Sequence, residues 1–190
     1  MRDARVGDVL RRMVGLLESS AIPFMIAGSF ASNAYGMPRA TQDLDIVIDP
    51  QPEMLEALLE RLPSAAYHVD GAAAREALRT RGIFNIVDLA TAWRVDFIIK
   101  KDRPFSHAEL SRRVATELHE VPVFVASAED TIVSELEWSK ASAGSETQLR
   151  NVANIVASRG AALDMIYVQR WVDELGLADE WAKARGQLAS

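Results

Sequence analysis

The run DLDIVID, residues 43–49, limits the folds open to this chain more than any other stretch. In a strand, side chains alternate between faces, and residues two apart lie about 6.6 Å from one another on the same face. Leu44, Ile46 and Ile48 therefore share one face, while Asp43, Asp45, Val47 and Asp49 share the other. The first face belongs against a core. The second carries carboxylates, which are either solvated or held by cations, because a charge taken out of water without a partner is costly.

The flanking sequence supplies the rest of a sheet. MRDARVGDVLRRMVGLLESS spaces Val6, Val9 or Leu10, Met13 and Leu16 or Leu17 as an amphipathic helix does, with mixed charges that do not suit a signal peptide. IPFMIAG reads as a short strand ending at Gly28, and SFASNAY as a short helix capped by Ser29 and ended by Gly36. MPRATQ is a loop, and Pro50 closes the acidic strand. PEMLEALLERL is an amphipathic helix with Pro52 near its first turn, and GAAAREALRT a weaker one. IFNIVDL and WRVDFIIK are strands separated only by ATA, which predicts a hairpin and hence a mixed sheet. PFSHAELSRR is a short helix or turn and VPVFVA a final strand.

From Ser127 the texture changes to four helices. SAEDTIVSELEWSKAS opens on a capping pattern of Ser127 with Asp130, and SETQLRNVANIVASRG on Ser145 with Gln148, ending at Gly160. ALDMIYVQRWVDELG and LADEWAKARGQL complete the run, with Trp138, Trp171 and Trp181 expected in the core or between helices, the alternative being that one of them stacks on a base. The expected fold class is α/β (α+β): a mixed-sheet domain over residues 1–126 and a C-terminal helical region over 127–190 packed on it.

Composition narrows the function. The 190 residues contain no cysteine, which excludes disulfides and thiolate metal sites. No apolar run approaches the roughly 18 residues that span a membrane, so no membrane partner is expected and a cytoplasmic location is the default. A net charge of −6 weighs against a broad basic face that coats nucleic acid, while leaving room for a local basic pocket. His68, His107 and His119 lack the spacing of zinc ligands.

Three acids stand out against this background. Asp43 and Asp45 on one strand face suit a hard divalent cation, which takes one or two carboxylates plus water and substrate phosphate. Asp96, between Val95 and Phe97 in WRVDFIIK, is a candidate third ligand; otherwise it is a structural partner of a nearby Arg or Lys. Asp88, on the preceding strand, reads as a hairpin-end residue. Gly28-Ser29, between a strand and a helix, presents free amides and a hydroxyl where the helix dipole favours an anion, though Gly-Ser there is also an ordinary helix start.

The order Gly28-Ser29, Asp43-x-Asp45, Asp96 resembles the nucleotidyltransferase superfamily, the polymerase-β-like minimal fold. The longer string GSFASNAYGMPRATQDLDIVI is more specifically similar to bacterial toxin-like nucleotidyltransferases of the AbiEii kind. The resemblance implies transfer of a nucleoside monophosphate from an NTP to an acceptor, with release of pyrophosphate and dependence on Mg²⁺ (or Mn²⁺). It implies that Asp43 and Asp45 hold the metal, that Gly28 and Ser29 bind the terminal phosphates, and that Asp96 joins a second metal and orients or deprotonates the acceptor hydroxyl. Arg39 and Thr41 would touch phosphate or fix the loop before the acids. Lys140 matches a basic residue that some relatives aim at the nucleotide, although a solvated helix lysine is the plainer reading. Where toxin-type relatives often carry Arg-Asp, this chain has Arg150-Asn151. The acceptor is left open among a tRNA or other RNA end, a protein and a small molecule, with a cognate antitoxin as a further partner and the oligomeric state unassigned.

A second reading keeps the fold without turnover: a nucleotide-binding or interaction protein. Pairing of Asp96 with Arg94 or Arg39, instead of convergence of the three acids on a metal, would favour it.

Overall fold

DLDIVI forms the strand β2 (Asp43–Ile48), and its two faces divide as the alternation predicts. Leu44, Ile46 and Ile48 are buried, whereas Asp43 and Asp45 are half-buried. The computed structural model describes the backbone of residues 2–38, 40, 41, 43–142 and 144–188, with side chains from residue 6 onward in those ranges. The described chain divides into two compact units, one of residues 1–27 and 41–125 and the other of 28–40 and 126–190.

The first unit holds a seven-stranded sheet. Its other strands are β1 (Phe24–Ile26), β3 (Tyr67–Val69), β4 (Ile83–Asp88), β5 (Arg94–Ile99), β6 (Val114–Leu118) and β7 (Val121–Val125), in the order β3-β4-β5-β2-β1-β7-β6. β2 runs parallel to β5 and β1 parallel to β7, while every other neighbouring pair is antiparallel. The sheet is mixed, and β4 and β5 form the expected hairpin. Leu44, Ile46 and Ile48 share their face with Val95, Phe97 and Ile99 of β5 and with Phe84 and Ile86 of β4, all buried. Phe84 stacks on its cross-strand partner Phe97 with ring centroids 5.3 Å apart. Such aromatic pairs add to the area term that dominates a core.

Four helices belong to this unit: α1 (Arg2–Ser19), α3 (Pro52–Glu60), α4 (Gly71–Thr80) and α5 (Pro104–Ser111), where α2 is the helix introduced below. The apolar stripe of α1 buries Val9, Leu10, Met13 and Leu17. α4 starts at Asp70, whose carboxylate accepts the Ala72 and Ala73 amides, satisfying two donors that a helix start leaves open. β3 and β6 were not expected from the sequence. Both are edge strands, and β6 is exposed over most of its length.

The second unit is helical: α2 (Gly28–Tyr35), α6 (Ala128–Ala141), α7 (Glu146–Arg159), α8 (Met165–Glu174) and α9 (Ala178–Gly186), with a 3₁₀ turn at Gly160–Ala162. Residues 28–40, assigned to the N-terminal part on sequence, group with these helices, α2 touching α6 and α7. The Ser127 capping pattern is present: the Ser127 Oγ accepts from the Asp130 amide at 3.1 Å and its hydroxyl donates to the Asp130 carboxylate at 2.6 Å. Ser145 occupies the N-cap of α7 but makes no side-chain cap bond, so the second capping pattern is not realised. Trp171 and Trp181 are buried as expected, whereas Trp138 is 45% exposed and does not belong to the core.

Gly36 lies where α2 passes close to α7. A Cβ there would lie 3.2 Å from the Ser32 carbonyl oxygen and 3.3 Å from the Ile155 amide nitrogen of α7. Both contacts are to backbone, so the close approach of α2 to α7 favours a residue without a side chain.

Candidate functional site

Parallel pairing of β2 with β5 places Asp43 beside Arg94 and Asp45 beside Asp96. All four side chains project from the sheet face opposite the Leu44–Phe97 core, because each is an odd step from the buried positions. The three acids singled out in the sequence are thus brought to one patch of one face. Main-chain pairing fixes that patch: the Ala27 amide donates to the Asp45 carbonyl at 2.9 Å, extending the β1–β2 ladder to the acid pair.

Arg94 dominates the electrostatics of this face. Its Nη2 donates to Asp96 Oδ2 at 2.9 Å, and its Nε lies 3.4 Å from Asp43 Oδ1. One guanidinium therefore bridges carboxylates on two strands. Burial pushes the Asp96 carboxyl above its ordinary value, with the negative charge of Asp43 adding to the rise and Arg94 opposing it. Asp49, at the other end of β2, plays a different part: Lys100 Nζ sits 2.6 Å from Asp49 Oδ2 and Arg81 lies 3.6 Å from its other oxygen. It is a structural ion pair.

The donor set fits a hard divalent cation in one specific way. Among the described residues, no group of three or more His, Asp or Glu side chains is drawn together tightly enough to hold a metal unaided. Adjacent strands do hold Asp45 next to Asp96, and a positive group already sits between Asp43 and Asp96. Mg²⁺ commonly takes one or two protein carboxylates and completes its shell with water and phosphate, so two of these acids could hold such an ion.

The remaining candidates lie elsewhere. Gly28 adopts φ +54° at the start of α2, a left-handed conformation that glycine enters without steric cost. Ser29 falls inside the first turn of α2, which begins at Gly28, and so does not take the N-cap position expected of it. Thr41 fixes the loop: its hydroxyl donates to the Asp43 carbonyl at 3.1 Å and accepts from the Asp43 amide at 3.3 Å. Arg39 lies outside the described residues. Lys140, in the last turn of α6, donates to the Gly176 carbonyl at 2.8 Å in the turn between α8 and α9, a structural bond. Asp88 is the hairpin-end residue expected, accepting the Ala90 and Thr91 amides, and it also pairs with Arg12 of α1.

Sequence reasoning missed a polar cluster inside the helical unit. Glu135 of α6 is buried, and its Oε1 accepts from the Ser32 hydroxyl of α2 and from Asn151 Nδ2 of α7 at 3.1 Å. The Ser32 oxygen also lies 3.0 Å from the Gly28 carbonyl. One carboxylate thereby ties three helices together at the turn that opens α2. Asn151 accounts physically for the Arg150-Asn151 departure: an amide donates to Glu135 where a second carboxylate would repel it. Asp130, fully buried, similarly accepts the Tyr167 hydroxyl of α8 at 2.6 Å.

Comparison with known proteins bears on the fold. No family model matches the chain, and no curated protein matches it. Among solved structures, the crystal structure of ANT(2")-Ia in complex with adenylyl-2"-tobramycin superimposes with a TM-score of 0.59 at 13% identity, covering 90% of this chain and 99% of that one. An antigenic nucleotidyltransferase-like protein from Paracoccidioides brasiliensis aligns with a TM-score of 0.56 at 14% identity, over 94% of this chain and 91% of that one. The lincomycin-bound lincosamide antibiotic adenylyltransferase LnuA aligns at 0.51 and 12% identity, over 77% and 93%. The chain has a nucleotidyltransferase fold. The mixed sheet and flanking helices expected from the sequence are those of this fold, and no helix among the described residues is long and apolar enough to cross a membrane.

Proposed function

We propose that the protein is a metal-dependent nucleotidyltransferase that moves a nucleoside monophosphate from an NTP to a hydroxyl of a small molecule. The observation that carries the reading is the register of β2 with β5, which sets Asp45 beside Asp96 and Asp43 two residues away on the same face. Asp43 and Asp45 are the proposed ligands of Mg²⁺ or Mn²⁺, and Asp96 the proposed further ligand that joins a second metal and receives the acceptor proton. A carboxyl whose pKa is raised by burial is a better base than an ordinary aspartate, which supports that role. Gly28 and Ser29, at the start of α2, are the proposed contacts to the terminal phosphates, with Arg39 and Thr41 flanking the acids and Lys140 held to the structural part described above.

In the proposed reaction the acceptor oxygen bonds to the α-phosphorus while the bond from that phosphorus to the bridging oxygen breaks. Pyrophosphate leaves with the electron pair, and the acceptor proton passes to the Asp96 carboxylate. The bound metal supplies neutralisation of the phosphate charge. The chain supplies position: two strands held in register keep the carboxylates on one face, and such chemistry depends on positioning. A small-molecule acceptor is favoured over a long polyanion because the net charge is −6, and because two proteins of the same fold have been seen with small molecules bound, one with adenylyl-2"-tobramycin and one with lincomycin. The likeness to toxin-like AbiEii relatives, and a cognate antitoxin, belong to this proposal as its narrower form.

The second reading, a nucleotide-binding or interaction protein without turnover, is favoured by one observation. Asp96 is paired with Arg94, the arrangement expected of a structural acid. The two separate in one experiment: incubation with each α-labelled NTP and Mg²⁺ against aminoglycosides, lincosamides, total tRNA and total protein, with Asp96→Asn as control. Label on a small molecule that disappears in the control supports the first reading. Label on RNA or protein replaces the acceptor class, and NTP binding without label on any acceptor establishes the second.

A further inference from the structure

We propose that Arg94 is a built-in counter-cation of the acid face, which holds Asp43 and Asp96 in the metal-free protein and must leave them when a divalent metal binds. The inference rests on the metal-dependent reading above and goes beyond it by making one residue of the face a competitor of the metal.

The geometry is specific. Arg94 stands beside Asp43 in the β2–β5 register and two residues before Asp96 on the same face, so its short reach spans both carboxylates. Its Nε is 3.4 Å from Asp43 and its Nη2 2.9 Å from Asp96. Those oxygens are the ones a metal on this face would need. A guanidinium and a divalent ion cannot share them: the lone pairs that accept the N–H groups are the lone pairs that coordinate, and two cations a few ångströms apart repel. The Arg94 side chain is about half exposed, at 51%, so it has solvent into which to withdraw. Asp96 is the more enclosed partner, its side chain 17% exposed, and burying it without a cation is unfavourable. Arg94 therefore offsets part of the acids' charge while no metal is bound. The freed guanidinium, a planar donor suited to phosphate oxygens, is then released in the neighbourhood where a metal–nucleotide complex carries them.

The consequence is a threshold. Free metal alone must displace Arg94 and binds weakly. Metal that arrives with a triphosphate offers Arg94 new acceptors in exchange, so it binds without that penalty.

The test is direct binding of Mn²⁺, read as loss of the free-ion EPR signal, to the full chain carrying the parent sequence, Arg94→Gln or Asp96→Asn. Arg94 is exposed and its substitution leaves the core untouched. The expected result is roughly three- to tenfold tighter Mn²⁺ binding by Arg94→Gln, given the worth of half-exposed ion pairs, and loss of binding by Asp96→Asn. In the presence of ATP the ratio between parent and Arg94→Gln should fall to one or reverse. Equal or weaker Mn²⁺ binding by Arg94→Gln, with binding still lost in Asp96→Asn, overturns the counter-cation and leaves the metal-dependent reading standing. Absence of Mn²⁺ binding in all three proteins, with and without ATP, removes the metal reading itself and this inference with it.

Discussion

Asp45 of β2 stands directly beside Asp96 of β5 in a parallel register, so main-chain pairing makes the two residues neighbours. The arrangement makes the pair independent of loop conformation. Replacing Asp43 and Asp45 together with alanine should abolish metal-dependent NTP binding while leaving the circular dichroism and thermal transition intact, since neither side chain belongs to the core. Calorimetric titration of ATP with and without Mg²⁺ checks this, and unaltered binding in the double variant would sink the metal assignment.

Asp96 should behave as a residue whose charge works against the fold. Burial raises its carboxyl pKa, so between the ordinary aspartate value of about 3.9 and the raised one the folded chain holds more protons than the unfolded chain. Stability accordingly falls as pH rises through that window. Asp96→Asn removes the slope. Its stability relative to the parent should be unchanged below the window and greater above it, as measured by urea denaturation at pH 3.5 and pH 7. A variant less stable than the parent at pH 7 would show that Arg94 more than compensates the burial.

The Arg12–Asp88 pair runs in the opposite sense. Desolvation of Asp88 favours its neutral form, but the Arg12 guanidinium and the Thr91 hydrogen bonds outweigh it and hold the carboxyl below its ordinary value. That contribution is present above the unfolded value and is lost as pH falls through the folded one. Arg12→Leu should cost about 1–3 kcal/mol at pH 7 by leaving a buried acceptor short of its partner. The gap between parent and variant should close as the pH is lowered from 4 towards 2, and a gap that stays constant with pH contradicts the pairing.

Glu135 is expected to act with Ser32 and Asn151 as a unit. Glu135→Ala removes the acceptor of the Asn151 amide, while the Ser32 hydroxyl keeps the Gly28 carbonyl, and should destabilise by about 1–3 kcal/mol, whereas Glu135→Gln, which keeps an acceptor oxygen, should cost less. The double variant with Ser32→Ala should fall short of the summed single effects by about 0.5 kcal/mol or more. Strict additivity in chemical denaturation would show that the two side chains contribute separately.

What the sequence made legible follows the burial of side chains. β2 and the β4–β5 hairpin announce themselves through apolar alternation and β1 through a short apolar run, and the acid face follows from the alternation of β2 and β5. β3 and β6 do not, because edge strands are held by main-chain bonds on one side: His68 is exposed and VATEL carries almost no buried residue. The bridging position of Arg94 was readable as a spacing of two from Asp96, but its contact with Asp43 needed the β2–β5 register, which no local pattern encodes. Ser32 and Glu135 were beyond reach for a related reason. They meet across 103 residues of chain, and neither sits in a motif.

The excursion of residues 28–40 out of the sheet unit carries a consequence for synthesis on the ribosome. β1 and β2 pair on either side of α2, and their register can form as soon as residue 48 has emerged. Glu135, which accepts the Ser32 hydroxyl of α2, and Asn151, which donates to Glu135, belong to the last third of the chain and emerge long afterwards. The Ser32 hydroxyl of α2 therefore waits for Glu135 through much of translation, while β1 and β2 are already able to pair. A stall or premature stop anywhere between residues 48 and 135 releases a nascent chain with that segment uncovered, the kind of species that chaperones retain and proteases remove.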